Sequence, residues 1–456
     1  MFAVDESSPD RNVCIVGLGY VGLTLAVVMA EAGFRVSGCE LNPGFVASIR
    51  SGRAHFFEPG LDERLALQVA AGRIVADTEM PRDPAISLYI VTVGTPLDGD
   101  GRVRLDMVRR VAGQIAERLK DGDAVVLRST VKIGTSRSVV LPALEASGRR
   151  FDLAFCPERT LEGKALYELA HLPQIVGAMT PQGAARLSQV FNAITPTVIR
   201  VRDPETAEMI KLIDNTSRDV GFAFANEVAR MCGAVGVSAA EVIKFGKLGY
   251  PRTNVPLPGP VGGPCLSKDA HILIESLEGH GLVPEITSAT RRINERLMTE
   301  VAAWIAARVE EAAAPAGAGR TRIAILGLAF KGQPETNDLR GSTVVPLIEA
   351  LRTHLPAAEY RGFDPVVTAA EQEALGLVAM PSLPDAFEGA QVVIVHNNHA
   401  VFAGMPLSQL SARMARPGLV YDFWNNFDPE RLAMAPDTRY VALGSHPMPA
   451  AETVVT

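Results

Sequence analysis

The stretch VCIVGLGYVG, residues 13–22, limits the folds open to this chain more than any other. A short apolar run ends in glycines at 17, 19 and 22, and an apolar pattern at helical spacing follows. Glycine at the end of a strand allows a tight turn, a second lets another group approach the backbone, and a third lets a helix pack close to the strand. Such a strand–turn–helix points the unpaired N–H groups of the helix start at the turn, which then suits an anion. A membrane span needs about 20 apolar residues with few breaks, and the four glycines and Glu31 between Val13 and Phe34 argue against one.

The same kind of apolar run recurs at FRVSGCE (34–40), SLYIVTVGT (87–95), AVVLRST (124–130), FDLAFCP (151–157) and PQIVGAM (173–179). These runs are rich in Val, Ile and Leu without alternation, as strands covered on both faces are. Helical patterns separate them, so residues 1–202 read as βαβ units in one parallel sheet. From 203 the texture changes. Pro204 opens a long helical run and a further one covers about 268–312, giving a helical segment over 203–312 that suits a subunit contact. An Ala- and Gly-rich linker follows at 312–320. Over 321–456 the first pattern returns: RIAILGLAF (322–330), EYRGFDP (359–365), AQVVIVHNN (390–398) and GLVYDFWNN (418–426) echo the first, second, third and fourth runs. The expected fold is α/β, two Rossmann-like doubly wound parallel-sheet domains joined by the central helices, the second read as a relic of duplication in pattern rather than identity.

The first domain carries a dinucleotide fingerprint. Gly17, Gly19, Tyr20, Val21 and Gly22 form the phosphate turn, and Glu40 closes the second strand where an acid grips ribose hydroxyls and repels a 2′-phosphate. NAD is therefore expected over NADP. Thr95 in VGTP (93–96) and Thr130 in ST (129–130) fall at the carboxyl ends of later strands, where such sheets bind ligands. The second domain offers Gly327-Leu-Ala-Phe-Lys-Gly332 in place of the fingerprint, and Lys331 in that turn suits an anion such as a nucleoside diphosphate.

Composition narrows the partners. The formal charge of −7 argues against nucleic acid and anionic membranes. Five cysteines in 456 residues are no disulfide framework and suit a reducing compartment. The N-terminus, MFAVDESSPDRN, is polar and acidic, unlike a signal peptide. A cytoplasmic protein is expected, with no metal.

The loop GPVGGPCLSKDA, residues 259–270, sets Cys265 among glycines and prolines with Lys268 and Asp269 just beyond. Glycine-rich amides and Lys268 would favour its thiolate. Oxidising an alcohol to an aldehyde needs a base and no nucleophile. Going on to the acid is easier when a thiolate first adds to the carbonyl, because the tetrahedral adduct has a hydride to give. Cys14, Cys39 and Cys232 read as structural, and Cys156, beside Pro157-Glu158, keeps both readings open.

Six motifs in this order resemble the UDP-glucose/GDP-mannose dehydrogenase family, the nucleotide-sugar 6-dehydrogenases: GLGYVG (17–22), STVKIGT (129–135), PERTLEG (157–163), KLIDN (211–215), GPVGGPCLSKD (259–269) and LAFKGQPETNDLR (328–340). The resemblance implies a four-electron oxidation of a sugar C6 alcohol to a carboxylate by two NAD+, with the aldehyde retained. It makes Cys265 the nucleophile. Lys211 would stabilise the developing oxyanion and Asn215 orient it. Asp269 would hold a water and pair with Lys211, Glu158 would act as base, and Thr130 would support the same water. Lys268 and Arg340 would contact the cofactor. Glu162, Lys211, Gly262, Phe330 and Lys331 would bind the sugar nucleotide, and Arg252 would reach it from the neighbouring subunit of a homodimer.

Three departures bear on the sugar. PER at 157–159 is more typical of N-acetylhexosamine members than of glucose or mannose members. The loop has Pro264 where hexosamine members often carry His and many glucose members Ser. Trp424 stands where relatives often carry an arginine. UDP-glucose or TDP-glucose is the leading expectation, and a UDP-N-acetylhexosamine is the alternative. A two-electron hydroxy-acid-type dehydrogenase and a silent NAD-binding regulator are more distant ones.

Overall fold

The computed structural model describes residues 9–313 and 321–448. The chain forms two compact units, one built on the residues up to Asn215 together with Lys268–Val283, the other on Thr216–Ser267 together with the residues from Pro284 onward. The helices expected to make a central segment are thus shared between the two. Of the linker at 312–320, residues 314–320 lie outside the described residues.

In the first unit eight strands form one sheet in the order β3-β2-β1-β4-β5-β6-β7-β8. They are β1 Asn12–Val16, β2 Arg35–Cys39, β3 Ile74–Asp77, β4 Leu88–Val91, β5 Asp123–Leu127, β6 Phe151–Phe155, β7 Gln174–Ala178 and β8 Val198–Val201. The apolar runs account for six of these. β3 and β8 carry no such run, because they are edge strands: Val75 and Ile199 are 59% and 46% exposed. The sheet also departs from the all-parallel expectation, since β7 pairs antiparallel with β6 through Ala154–Ala178 and Phe155–Gly177. A parallel partner needs a crossover to the far end of the sheet. Here the 157–173 connection stays at the carboxyl end of β6 and feeds β7 from that side. The consequence is functional. The turn after β1, Glu40 after β2, Thr95 after β4, Thr130 after β5 and the PERTLEG segment after β6 all stand at one end of the sheet.

The second unit holds a six-stranded parallel sheet in the order β11-β10-β9-β12-β13-β14. Its strands are β9 Arg322–Leu326, β10 Glu359–Phe363, β11 Val378–Ala379, β12 Val392–Val395, β13 Gly418–Asp422 and β14 Thr438–Ala442. The echo of the first domain extends to single bonds. Gly17 N–H donates to Cys39 O and Gly327 N–H to Phe363 O, both at 2.8 Å. Gly17 and Gly327 have φ of 93° and 85°. Leu18 N–H donates to Glu40 at 3.0 Å and Leu328 N–H to Asp364 at 2.6 Å. The acids then diverge. Glu40 is half-buried and accepts one further amide, from Asn42. Asp364 is buried and accepts three more, from Ala329, Val366 and Val367. The second turn also lacks a helix directly behind it, since the next helix begins at Val344.

The long helix is Pro204–Val235, starting at the proline the sequence singled out. Asp203 caps it, accepting from the Thr206 N–H and hydroxyl at 2.8 and 2.6 Å. The second helical run, expected over 268–312, is interrupted. It consists of Asp269–Leu277, a short 3-10 turn, and Glu285–Ala313. Gly281, at φ 66°, and Pro284 separate the pieces, the first by a left-handed residue and the second by removing an N–H donor.

Candidate active site

The glycine turn of the first unit fits a dinucleotide. A Cβ at Gly22 would lie 1.9 Å from Gly17 O, and one at Gly17 3.1 Å from the Thr92 backbone, so helix and strand meet closer than any side chain permits. Gly19, by contrast, has nothing within 4 Å of its Cβ position. It caps the helix Tyr20–Glu31, and no side chain caps the amides of that first turn. Backbone amides beside an open glycine make the donors that a pyrophosphate requires, and the half-buried Glu40 carboxylate makes the acceptor that a ribose requires. Tyr20 is engaged elsewhere: its hydroxyl donates to Glu58. Glu58 also accepts from Gly163 N–H at 2.7 Å and Ala165 N–H at 2.8 Å. It ties the first helix to the segment carrying half-buried Glu162.

Three residues expected near the cofactor come together at the ends of β4 and β5. Thr95 donates its hydroxyl to Thr130 O at 2.5 Å. Lys268 Nζ donates to Thr95 O and Oγ1 at 3.1 and 3.2 Å.

Lys211 and Asn215 lie one turn apart on the long helix, and Lys211 is 8% exposed. Asn215 Nδ2 donates to Asp269 Oδ2 at 2.6 Å. Asp269 is buried, and its Oδ1 accepts no hydrogen bond among the described residues. The expected pairing of Asp269 with Lys211 is therefore corrected. Asp269 is held by Asn215, and Lys211 makes no ion pair among the described residues. The helix begins at Asp269 itself, so this carboxylate is no N-cap.

Glu158 is placed differently from a free base. Arg128 Nη2 and Nε donate to its Oε2 at 2.6 and 3.2 Å, and the Arg159 and Thr160 amides donate to its Oε1 at 2.7 and 2.8 Å. Burial alone would push the Glu158 carboxyl up, but the Arg128 guanidinium, with help from the Thr160 amide and Lys211, holds it below its ordinary value. Arg128 was not singled out in the sequence, although a charged residue directly after VVL in an apolar run is a visible signal. Glu58 gave no signal, because its partners come from distant segments. Cys156 is fully buried, and that burial pushes its thiol up to about 12, away from a reactive thiolate. Cys14 is likewise raised to about 12 by burial.

The second unit carries the cysteine loop. The five cysteines form no disulfide among the described residues, and Cys265 is the exposed one. The loop glycines meet their neighbours closely. Gly263 N–H donates to Gly341 O at 2.8 Å, and a Cβ at Gly263 would meet the Phe330 ring at 2.4 Å. A Cβ at Gly262 would lie 2.5 Å from Gly341 O. Close backbone approach explains them both. Phe330 and Lys331 are half-buried, with Lys331 Nζ 5.2 Å from the Phe330 ring centroid. Arg340 is exposed and forks onto Asp338, with Nη2 2.6 Å from Oδ2. Arg252 is exposed, its guanidinium 4.7 Å over the Tyr250 ring.

The NAD-binding, central and UDP-binding domains of the UDP-glucose/GDP-mannose dehydrogenase family match residues 11–195, 205–296 and 324–429. A UDP-N-acetyl-D-mannosamine dehydrogenase of Pyrococcus horikoshii is 31% identical over 409 residues, 88% of this chain and 93% of that protein. One of Yersinia pestis is 30% identical over 406 residues, 86% of this chain and 94% of that protein. A solved UDP-glucose dehydrogenase of Pyrobaculum islandicum superposes with a TM-score of 0.84 at 27% identity, over 97% of this chain and 99% of that one. Among the described residues no helix is long and apolar enough to cross a membrane. The cofactor is NAD, the substrate is a nucleotide sugar, and the chain belongs to the UDP-glucose/GDP-mannose dehydrogenase family.

Proposed function

We propose that this protein oxidises C6 of a UDP-N-acetylhexosamine from alcohol to carboxylate. The observation that carries the choice of sugar is the similarity, over 86–88% of the chain, to relatives named UDP-N-acetyl-D-mannosamine dehydrogenase. PER at 157–159 agrees with it. This reverses the order expected from sequence, where glucose led. UDP-glucose stays as the second reading, on the strength of the Pyrobaculum islandicum structure. Nothing favours TDP-glucose.

The glycine turn and Glu40 would hold NAD, which when bound would supply the hydride acceptor, one NAD+ for each of two stages. In the first, C6–H would leave as hydride to that acceptor, the hydroxyl proton would go to water, and an aldehyde would remain. Cys265 S–H would then add across the aldehyde C=O, forming a thiohemiacetal, and loss of its C–H as the second hydride, to a second NAD+, and of its hydroxyl proton to water would leave a thioester. Water cleaves the C–S bond to release carboxylate and thiol, with two electron pairs removed in all. Lys211, a buried ammonium with no ion-pair partner among the described residues, supports the reading of an oxyanion stabiliser. Asp269 Oδ1, buried and accepting no hydrogen bond, supports the reading of a water acceptor. Glu158, saturated by Arg128 and two amides, is a poor base. We assign it to positioning the PERTLEG segment instead.

A homodimer completes the reading. Phe224, Met231 and Val235 recur at helical spacing on the long helix, and Val242, Phe245 and Leu248 follow on and after helix Ala239–Gly246, all from 48 to 78% exposed. A patch of this kind marks an association surface. Phe245→Glu with Leu248→Glu should give monomers in sedimentation velocity, and a wild-type protein that sediments as a monomer overturns the assignment.

With limiting substrate, two NADH should form per uronate. kcat/KM for UDP-N-acetylmannosamine or UDP-N-acetylglucosamine should exceed that for UDP-glucose by about tenfold or more, a margin within reach of one recognised side group. One NADH per substrate defeats the four-electron reading, and faster turnover of UDP-glucose defeats the choice of sugar.

Arg128→Met should cost about 3–5 kcal/mol, because it strands the Glu158 carboxylate, and Arg128→Met with Glu158→Gln should regain part of that. The Glu158 pair stabilises fully above its ordinary value of 4.5 and fades as acid protonates the carboxylate below it. Thermal melts from pH 7 to 3 should show this loss in wild type and less of it in Glu158→Gln. Equal melts for single and double variants would rule out the coupling.

A further inference from the structure

Four buried polar side chains form a line from two helices to the start of the cysteine loop. Asp219 and Asn226 stand on the long helix, and Arg291 and Asn294 on helix Glu285–Ala313, all at most 3% exposed. Arg291 Nη2 and Asn294 Nδ2 both donate to Asp219 Oδ1 at 2.7 Å. Asn226 Nδ2 donates to Asn294 Oδ1 at 3.0 Å. Asn226 then closes a two-point clamp on Gly259: its Oδ1 accepts the Gly259 N–H at 2.9 Å and its Nδ2 donates to Gly259 O at 3.1 Å. A peptide N–H can only donate, and a carbonyl or carboxylate can only accept, so each carboxamide has one orientation that satisfies the line. The Asn226 amide does for Gly259 what a neighbouring strand would do.

Burying four such groups is dear in free energy compared with apolar packing at the same place. What this line secures is the position of one backbone. On the other side of Gly259 a Cβ would come within 3.0 Å of the Trp424 ring, whose indole N–H is itself fixed to His396 O at 2.8 Å. Four residues on, Gly263 N–H is fixed to Gly341 O. Pro260 and Pro264 lock φ at two of the positions leading to Cys265. Little backbone freedom is left before the sulfur.

We propose that Asn226, held by Asn294 and Asp219, is a positioning residue for Cys265. It sets where the sulfur stands when the aldehyde appears, and so whether the aldehyde is captured or lost. The inference rests on Cys265 being the nucleophile.

The test is turnover with semicarbazide present, following NADH, uronate and trapped aldehyde. Wild type should give two NADH per uronate and no trapped aldehyde. Asn226→Ala should slow the second oxidation about 100-fold, as misplacing a reacting group by about 1 Å does, while the first stays near the wild-type rate. NADH per uronate then rises above two and aldehyde semicarbazone accumulates. If Asn226→Ala loses activity only in proportion to folded protein, with the ratio at two and no trapped aldehyde, Asn226 is merely structural and the inference fails. Should that variant not fold, Gly259→Ala leaves the polar line intact and presses the loop off Trp424. It should leak aldehyde too, and its failure to do so overturns the inference equally. Cys265→Ser run alongside separates the two levels. Normal uronate from it defeats the nucleophile reading itself, whereas lost uronate there without leakage in the other variants defeats only the positioning role.

Discussion

Backbone packed against backbone, closer than a Cβ allows, is the constraint on which both halves of this protein depend. In the first unit Gly22 lies over Gly17 O, which draws the helix start onto the end of β1 and leaves its amides open beside Gly19. In the second unit Gly262 and Gly263 lie against Gly341 and Phe330. The first contact makes a cradle for phosphate. The second makes a rigid seat for a loop whose cysteine is exposed. A methyl group at Gly22, Gly262 or Gly263 would have to push backbone or ring aside, so the glycines are dictated by distance and only secondarily by flexibility.

The two sheets share an origin in geometry and differ in what their acids do. Glu40 keeps part of its surface exposed after accepting two amides. Asp364 is buried under four and has no capacity left for a ribose. In the second unit the acid is closed and no helix follows the turn directly, and Lys331 lies beside Phe330, its Nζ 5.2 Å from the ring centroid.

Much of this was legible in the residues, and the illegible part has physical causes. Central strands announce themselves because both faces are buried, so their apolar runs are unbroken. β3 and β8 do not, because an edge strand is half wet and its pattern is diluted. The antiparallel turn from β6 to β7 is invisible in a pattern that carries no direction. Glycine spacing found both turns, and the isolated cysteine in its loop was conspicuous. Roles assigned one residue at a time fared less well, since a side chain's partner is set by the fold. Glu158 looked like a base until Arg128 was beside it, and Asp269 looked ready for Lys211 until Asn215 took its place. Glu58 and Asn226 act through backbone amides more than 30 positions away, and no local spacing reports that.

The central claim is that sulfur at position 265 bonds to carbon so that a second electron pair can leave. The most direct measurement is acid quenching during turnover of saturating substrate, followed by peptide mass spectrometry of the segment containing Cys265. The account predicts a thioester adduct, with the mass of the acylated sugar nucleotide, on that cysteine. A bare thiol there, in samples that are still accumulating uronate, would contradict it.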